Sequence, residues 1–563
     1  DYLIPPDMNI KSGMRVIAPF GKRSAVGLVY SLKQHSDFDK NALKPISKVL
    51  DESPILNKDI FKLCQWATQY YQQPIGDVFF TALPSLLRKG KPSEIKTAIK
   101  ETSGEHEKNL TLNEEQQHAV TQINKHKDSF NVFLLDGVTG SGKTEVYFQA
   151  IEQHLNDDQQ VLVLIPEISL TPQTIGRFEN RFNHVVVALH SGLTDKQRLN
   201  GWCLARSGEA KIIIGTRSAI FTQFKHLSLI VIDEEHDTSF KQQEGYRYHA
   251  RDLAVLRAKT HNIPIILGSA TPSLESLANV LQKKYQLLTL KHRAGNACPP
   301  TFSTIDLNQH YAEDGLTPSS VEKITQHINN NQQVLIFINR RGFAPVIFCQ
   351  SCNWQATCSR CDSKMVMHKK HSKLCCHHCG RQAVLPDQCP ECESPSLLPL
   401  GDGTQRLESH LEKLFPKTKI LRIDRDNVKT KNQLNEYLEQ IHQEKNCILI
   451  GTQMLAKGHH FPNVTLVVVL NVDSGLMSAD FNALEKTGQL ILQVAGRAGR
   501  GDKPGEVLIE TKQPHHPQLL QLIHKSYQHF AKTLLSERES CHLPPYGFHA
   551  LIRTEAKVPQ QAF

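Results

Sequence analysis

The chain has 563 residues, 39% of them apolar and 21% charged, which excludes a disordered polypeptide and requires several domains, each with its own core. Lysine and arginine outnumber aspartate and glutamate by 65 to 56, a surplus that a solvated surface accounts for as readily as a polyanionic partner. Fourteen cysteines in a chain of this length argue against a short disulfide scaffold, and apolar runs such as Val464 to Leu470 are too short to cross a bilayer.

Residues 1–90 open with two short apolar segments, MRVIAPF and AVGLVY, divided by the turn signal Gly21-Lys22, and continue into a helical stretch around Ile60 to Tyr71. This predicts a small β-rich domain. Residues 91–110 are polar and aperiodic, a linker. From residue 111 to 290 apolar strands alternate with helical stretches, the strands being expected at 132–137, 161–166, 185–190, 211–216, 229–234 and 263–271. The same alternation occupies 291–345 and 399–540, with strands expected at 334–339, 420–424, 447–452, 464–470 and 506–510. Alternating strands and helices imply parallel sheets covered on both faces, so the fold class is α/β with two tandem lobes. Residues 346–398 break the pattern and read as an insertion in the second lobe, and 541–563 begin something further.

Three boxes carry chemistry. GVTGSGKT, Gly137 to Thr144, follows an apolar strand and matches a phosphate loop: the N–H groups of Gly137, Val138, Thr139, Gly140, Ser141 and Gly142 curve around phosphates at a helix N-terminus. Lys143 would neutralise the β and γ phosphates and Thr144 would hold magnesium. Gln116, upstream, joins this ATP-binding set. DEEH, Asp233 to His236, ends a strand; Asp233 would bind the metal and Glu234 would orient and deprotonate water. QVAGRAGR supplies Gln493, Arg497 and Arg500, whose guanidinium groups would meet charge developing on the transferred phosphoryl group. Magnesium-ATP hydrolysis is therefore expected.

Eight cysteines form four Cys-x-x-Cys pairs: Cys349 and Cys352, Cys358 and Cys361, Cys376 and Cys379, Cys389 and Cys392. Two such turns complete a tetrahedral zinc site, so four predict two structural zinc ions, and spacing alone permits three pairings. Cys375, His377 and His378 crowd one pair, but only Cys376 preserves the two-residue gap to Cys379. Lys364, His368, Lys369, Arg381 and Trp354 suggest a surface for DNA or proteins.

The boxes, in this order, resemble those of superfamily 2 helicases, and PEISLTPQ (166–173), GTRSA (215–219), GSATPS (268–273) and GTQMLAKGHHFPNV (451–464) resemble that superfamily's DNA-contacting and coupling motifs. With pair-to-pair gaps of five, fourteen and nine residues, the cysteine block narrows the resemblance to the bacterial primosomal replication-restart helicases, the PriA family. The resemblance implies two RecA-like lobes, 3′-to-5′ unwinding of forked DNA at abandoned replication forks, and a role in replication restart and repair. Its implied partners are single-stranded DNA, single-strand DNA-binding protein, primosome proteins and the replicative helicase loader. It also favours nested zinc sites, Cys349, Cys352, Cys389 and Cys392 for one ion and Cys358, Cys361, Cys376 and Cys379 for the other.

By the same resemblance Asp1, Gly21 and Lys44 fall on a pocket for the 3′ end of the nascent leading strand. TSFKQQEGYRYHARD (238–252) is similar to an aromatic-rich loop that senses single strands: Phe240, Tyr246 and Tyr248 would stack on bases, and Lys241, Arg247 and Arg251 would contact phosphates. Their interleaving with charge argues against a core position. About twenty residues separate LLRKG from LNEEQ, too few for the winged-helix domain usual in the family, and the start at Asp1 suggests a truncated or engineered form. No leader opens the chain, so a cytoplasmic location without membrane contact is expected. Two rivals stand beside this reading: an RNA helicase of the same superfamily, and a loading platform for which ATP turnover is unimportant.

Overall fold

The computed structural model describes residues 1–93, 110–155, 158–293, 299–313, 315–339, 346–349, 351–352, 354–360, 365–368, 373–376, 381–400, 403–424, 427, 431–452, 455, 461, 463–478, 480–499 and 503–550. The chain divides into two compact units, 1–294 and 295–563.

In the first unit, β1 (Arg15–Phe20), β2 (Arg23–Leu28) and β3 (Lys48–Val49) form an antiparallel sheet in the order β2-β1-β3. The hairpin between β1 and β2 turns at Gly21, whose φ of +62° suits glycine. Three helices follow, α1 (Lys58–Tyr70), α2 (Ile75–Thr81) and α3 (Ser85–Arg88). Asn57 caps α1 by accepting from the N–H of Ile60, and Pro74 and Pro84 precede α2 and α3. The sequence pattern predicts only the first of these helices; the other two are too short for a periodic signal.

A seven-stranded parallel sheet makes the lobe. Its strands are β4 (Val132–Gly137), β5 (Gln160–Leu164), β6 (Val186–Leu189), β7 (Ile212–Gly215), β8 (Leu227–Asp233), β9 (Ile265–Ser269) and β10 (Gln286–Leu290). The order is β10-β4-β9-β8-β5-β7-β6. All six expected strands are present, and β10 is added: its alternation of half-buried and buried residues marks an edge strand. Helices α4 (Glu114–Lys125), α5 (Lys143–Gln153), α6 (Pro172–Arg181), α7 (Asp195–Ser207), α8 (Ala250–His261) and α9 (Leu274–Leu281) cover it.

Helix α1 buries Ile60, Leu63, Cys64 and Ala67 in the same core as Ile230, Ile232, Leu253 and Ala254, so the helical part of the N-terminal region packs as one body with the lobe. Arg257 of α8 (1% exposed) donates to Asp59 of α1 at 3.0 Å and to the carbonyl of Ile220 at 2.8 Å, and His261 Nε2 lies 2.7 Å from the same carboxylate. Burial raises the Asp59 pKa, but Arg257 and His261 outweigh it and hold the carboxyl well below its usual range. The small sheet is tied down in the same way: Arg15 pairs with Asp51 at 2.6 Å and donates to the carbonyls of Leu87 and Lys91.

The second unit holds a six-stranded parallel sheet of β11 (Thr301–Asp306), β12 (Gln333–Ile338), β18 (Lys419–Ile423), β19 (Cys447–Gly451), β20 (Val464–Leu470) and β21 (Glu506–Thr511), in the order β11-β21-β20-β12-β19-β18. Every residue of β20 is buried, as its unbroken apolar run requires. Between β12 and β18 the chain makes a separate antiparallel sheet, β13 (Val346–Cys349), β14 (Val366–His368), β15 (Lys373–Cys375), β16 (Gln382–Val384) and β17 (Leu397–Leu400), ordered β16-β15-β14-β13-β17. No helix among the described residues is long and apolar enough to cross a membrane.

Arg257→Ala leaves the largely buried Asp59 carboxylate with the His261 ring beside it and without its guanidinium partner. It should lower the free energy of unfolding of the first unit by about 3–5 kcal/mol in urea titrations.

Candidate active site and metal centre

The carboxyl edge of the first sheet gathers three turns of the lobe: the loop after β4, the DEEH box at the end of β8 and the GSATPS turn after β9. Strand register sets Asp136 beside Ser269 and Asp233 beside Gly268, so all three meet at one edge, where open α/β sheets bind ligands. Gly140 and Gly142 have φ of +84° and +78°, which lets the loop turn its N–H groups inward before α5 begins at Lys143. Lys143 Nζ donates to the carbonyl of Gly137 at 2.6 Å, inside the loop it serves.

Gln116 sits in a capping box with Asn113 at the start of α4, and its side-chain nitrogen donates to the carbonyl of Ser141 at 2.8 Å. Its amide braces the phosphate loop, with its oxygen accepting from the N–H of Asn113.

Tyr147 follows Lys143 by one helical turn and donates to Asp233 Oδ1 at 2.9 Å. A Cβ on residue 268 would meet its hydroxyl at 1.6 Å, so only glycine at 268 lets the phenol cross the sheet edge to the carboxylate. Burial, then the charge of Glu234, push the Asp233 carboxyl up to about 6 against the opposing pull of Lys143 and Tyr147. A carboxylate so disfavoured gains from a cation. Together with the hydroxyl of Thr144 on the same edge, Asp233 fits a magnesium site of the kind hydrolases use for ATP.

Glu234 is in the left-handed region at φ +50°, a costly conformation for a side-chain-bearing residue that marks functional turns. His236 Nδ1 lies 2.6 Å from the hydroxyl of Ser269 and 3.5 Å from Glu234 Oε2, and its Nε2 is 3.5 Å from the hydroxyl of Thr271. The acidic box is thereby tied to the GSATPS turn.

Glu235, for which the sequence suggests no role, is wholly internal. It accepts from Arg251 at 2.8 Å, from the N–H of Ser273 at 2.7 Å, and from the hydroxyls of Ser273 and Ser276 at 3.0 and 2.9 Å. Burial pushes its carboxyl up, yet Arg251 and the Ser273 N–H prevail and hold it below the usual range. Arg251 is therefore not a phosphate contact: it is buried in this pair.

The aromatic expectation is also corrected. Phe240, Tyr246 and Tyr248 are 0%, 5% and 3% exposed and belong to the core of the lobe, where Tyr248 packs edge-on against Phe221 at 5.1 Å. They cannot stack on bases as they stand. The charges between them are presented outward, Arg247 fully and Lys241 in part, because 238–249 folds as a narrow hairpin with Lys241 bridged to His249. Charge interleaved with aromatics marks a two-faced hairpin here rather than an exposed loop.

At the N-terminus, Leu3 N donates to the carbonyl of Lys44 and Ile46 N to that of Leu3, so the segment from Asp1 runs beside Lys44. Tyr2 Oη donates to the carbonyl of Pro19, which draws the same segment to the arm of the Gly21 hairpin. Asp1, Gly21 and Lys44 are exposed. A cavity of about 350 Å³ opens between α2–α3 and the GTRSA turn, lined by Arg88, Glu167, Arg198, Trp202 and Arg217 among others.

In the second unit Gln493 and Arg497, at the end of the helix Ala483–Ala495 and the turn after it, are 9% and 8% exposed; Arg500 lies outside the described residues. In the insertion the sulfurs of Cys349, Cys352, Cys389 and Cys392 all lie within 4.8 Å of one another, with Cys349 to Cys392 and Cys352 to Cys389 at 3.5 Å. A zinc–sulfur bond of about 2.3 Å sets tetrahedral sulfurs about 3.8 Å apart, so the cluster fits that ion. Burial raises the Cys349 thiol, but the N–H groups of Cys352 and Ser351 outweigh it and hold it at about 6, whereas the hydrogen bonds that Cys352 and Cys392 share with the other sulfurs of the cluster help push those two thiols up. Cys358 and Cys376 are buried together in the apolar centre of the insertion, while Cys361, Cys379, His377 and His378 lie outside the described residues, as do the side chains of Lys364, His368 and Lys369. Trp354 packs against that centre rather than forming a surface; Arg381 is exposed.

Two parallel-sheet lobes, with phosphate loop, acidic box and coupling turn on one edge of the first, define an ATP-dependent helicase. Family profiles agree: residues 1–84 match the 3′ DNA-binding domain of PriA, 113–280 the DEAD/DEAH box helicases and 400–502 the helicase conserved C-terminal domain. The chain is 45% identical to the replication restart protein PriA of Haemophilus influenzae, over 99% of this chain and 86% of that one. It is 38% identical to that of Rickettsia conorii over the same shares, and 42% identical to that of Bacillus subtilis over 79% of this chain and 56% of that one. The chain belongs to the PriA family of replication-restart helicases.

The raised Asp233 pKa carries a sign. The destabilisation from its charged form is absent below about pH 3.8, grows with pH, and is complete above about 6. Asp233→Asn keeps an acceptor for Tyr147 and removes that charge. At pH 7.5 it should abolish ATP hydrolysis while raising Tm, by about 2–4 °C for each kcal/mol relieved, in a thermal melt without nucleotide.

Proposed function

We propose that this protein unwinds DNA in the 3′-to-5′ direction at stalled or abandoned replication forks and begins primosome assembly there. The observation that carries this reading is the shared core of the N-terminal region and the first lobe. A region matched to 3′ DNA-binding domains is packed onto the motor through Arg257 and Asp59, so the end of a nascent strand would be held in fixed relation to the lobe that turns over ATP. Asp1, Gly21 and Lys44 would form the pocket for that end, and the cavity beside Arg217 would take the backbone of the tracked strand.

In the ATP site Lys143 would leave the Gly137 carbonyl for the β and γ phosphates, with Thr144 and Asp233 holding magnesium. Glu234, set by its left-handed backbone and steadied beside His236, would orient and deprotonate the attacking water. Gln493, Arg497 and Arg500 would answer charge developing on the phosphoryl group. The insertion would hold two structural zinc ions, one at Cys349, Cys352, Cys389 and Cys392 and one at Cys358, Cys361, Cys376 and Cys379. Its surface would serve unwinding and the primosome proteins, and the protein would work in the cytoplasm with single-strand DNA-binding protein and the helicase loader.

The deciding assay compares ATP hydrolysis and unwinding on synthetic forks with and without a leading-strand 3′ end at the junction. Faster unwinding on the fork that carries the end, and displacement only from partial duplexes with a 3′ single-stranded arm, are expected; equal rates on both forks refute the fork reading. For the metal, Cys358→Ser or Cys376→Ser should lower zinc content by one equivalent in elemental analysis. Unwinding should be lost, and ATP hydrolysis driven by single strands should survive in part.

A further inference from the structure

Tyr147 carries a hydroxyl where a phenylalanine ring would fill the same space. It lies on α5, one turn after Lys143, and is 2% exposed. A buried hydroxyl must find a partner, and this one donates to Oδ1 of Asp233 at 2.9 Å. To reach that oxygen the phenol crosses β9, where a Cβ on residue 268 would stand 1.6 Å from the hydroxyl oxygen and 2.7 Å from the ring carbon that bears it. Glycine inside a buried strand weakens the strand and marks a close approach. A buried polar atom and a strand glycine, each unfavourable alone, together bring one hydroxyl to one carboxylate oxygen.

Asp233 needs such a hold. The Glu234 carboxylate follows it in the chain and repels it, while Lys143 is near enough for its charge to act on it. A free carboxylate would turn to the ammonium, and the pair would occupy both groups. Each is instead held by a neutral partner: Lys143 Nζ donates to the carbonyl of Gly137 at 2.6 Å, and Asp233 accepts from the phenol. A neutral donor fixes the carboxylate without adding a positive charge that would compete with a cation. The crossing point is itself tied down, because the carbonyl of Gly268 accepts from the N–H of Glu235 at 3.0 Å.

We propose that Tyr147 is a positioning residue for magnesium: it fixes the Asp233 carboxylate through Oδ1 and leaves Oδ2 to the ion. This role rests on the reading of Asp233 as the magnesium ligand, and it gives the phenol no contact of its own with nucleotide or ion. A ligating carboxylate gains from a hydrogen bond that orients it, and losing such a partner typically lowers metal affinity about 10- to 100-fold.

The test is binding of mant-AMPPNP, a fluorescent ATP analogue that resists hydrolysis, to the full chain while magnesium is titrated upward from EDTA. Tyr147→Phe keeps the ring and removes the donor. In EDTA it should bind the analogue within about twofold of the parent, which also shows the fold intact. The magnesium concentration that gives half the gain in affinity should rise about tenfold. At saturating magnesium, ATP hydrolysis should return to within about threefold of the parent, so that the defect is in metal requirement rather than turnover. Equal weakening with and without magnesium makes Tyr147 a packing residue and overturns the proposal, as does an unchanged magnesium requirement. Asp233→Asn should lose the magnesium dependence altogether. If it does while Tyr147→Phe titrates like the parent, positioning alone is refuted. If Asp233→Asn itself titrates like the parent, the ligand reading is refuted and positioning with it.

Discussion

Glu235 and Arg251 are the constraint on which the first lobe depends. An ion pair out of water is favourable only when its remaining lone pairs and protons are satisfied, and here Ser273 and Ser276 complete Glu235 while Asp252 flanks Arg251. The pair joins three pieces that sequence keeps far apart: the acidic box after β8, the first turn of α8, and the N-terminus of α9 after the GSATPS turn. Glu235 immediately follows Glu234, and Arg251 lies two residues beyond the end of the hairpin. Any displacement of the hairpin that pulls α8 must either stretch this pair or carry the acidic box with it. Stretching it exposes two buried charges to each other's absence, which costs several kcal/mol, so moving together is the softer response.

The same logic explains which parts were legible in the sequence. Strands β4 to β9 and β20 announce themselves because a parallel strand covered on both faces must be apolar throughout. The phosphate loop and the acidic box are legible because backbone curvature and metal binding admit few residue types. Tyr147 is legible afterwards: it lies four residues from Lys143, on the same helical face. Glu235 is not, because nothing in DEEH says which carboxylate faces solvent and which faces a serine 38 residues further along the chain; that is decided by tertiary packing. The 238–252 segment misleads for a related reason. Alternating aromatic and basic residues describe an exposed loop and a hairpin with one buried face equally well, and the choice rests on whether an apolar partner waits beneath. Phe221 and Tyr71, distant in sequence, are that partner.

The cysteine block shows a different limit. Local spacing specifies each two-sulfur turn but is silent on which turns meet, since that depends on how strands pair. β13 lies against β17 with Cys349 opposite Leu397, and this antiparallel pairing draws the first and last Cys-x-x-Cys turns together at the sheet's end. Register, a long-range property, decides which thiols meet.

The N-terminal region and the lobe are joined by contacts that leave the intervening stretch out of the mechanics. Arg15 holds the carbonyl of Lys91 at 2.8 Å on one side, and Gln149 holds that of Leu110 at 3.0 Å on the other. Lys91 and Leu110 are therefore both held to the first unit. The shared core of α1 and α8 does not draw on that stretch, because the ion pair of Asp59 with Arg257 and the bonds of Arg15 to Asp51 and Leu87 are made by residues outside it.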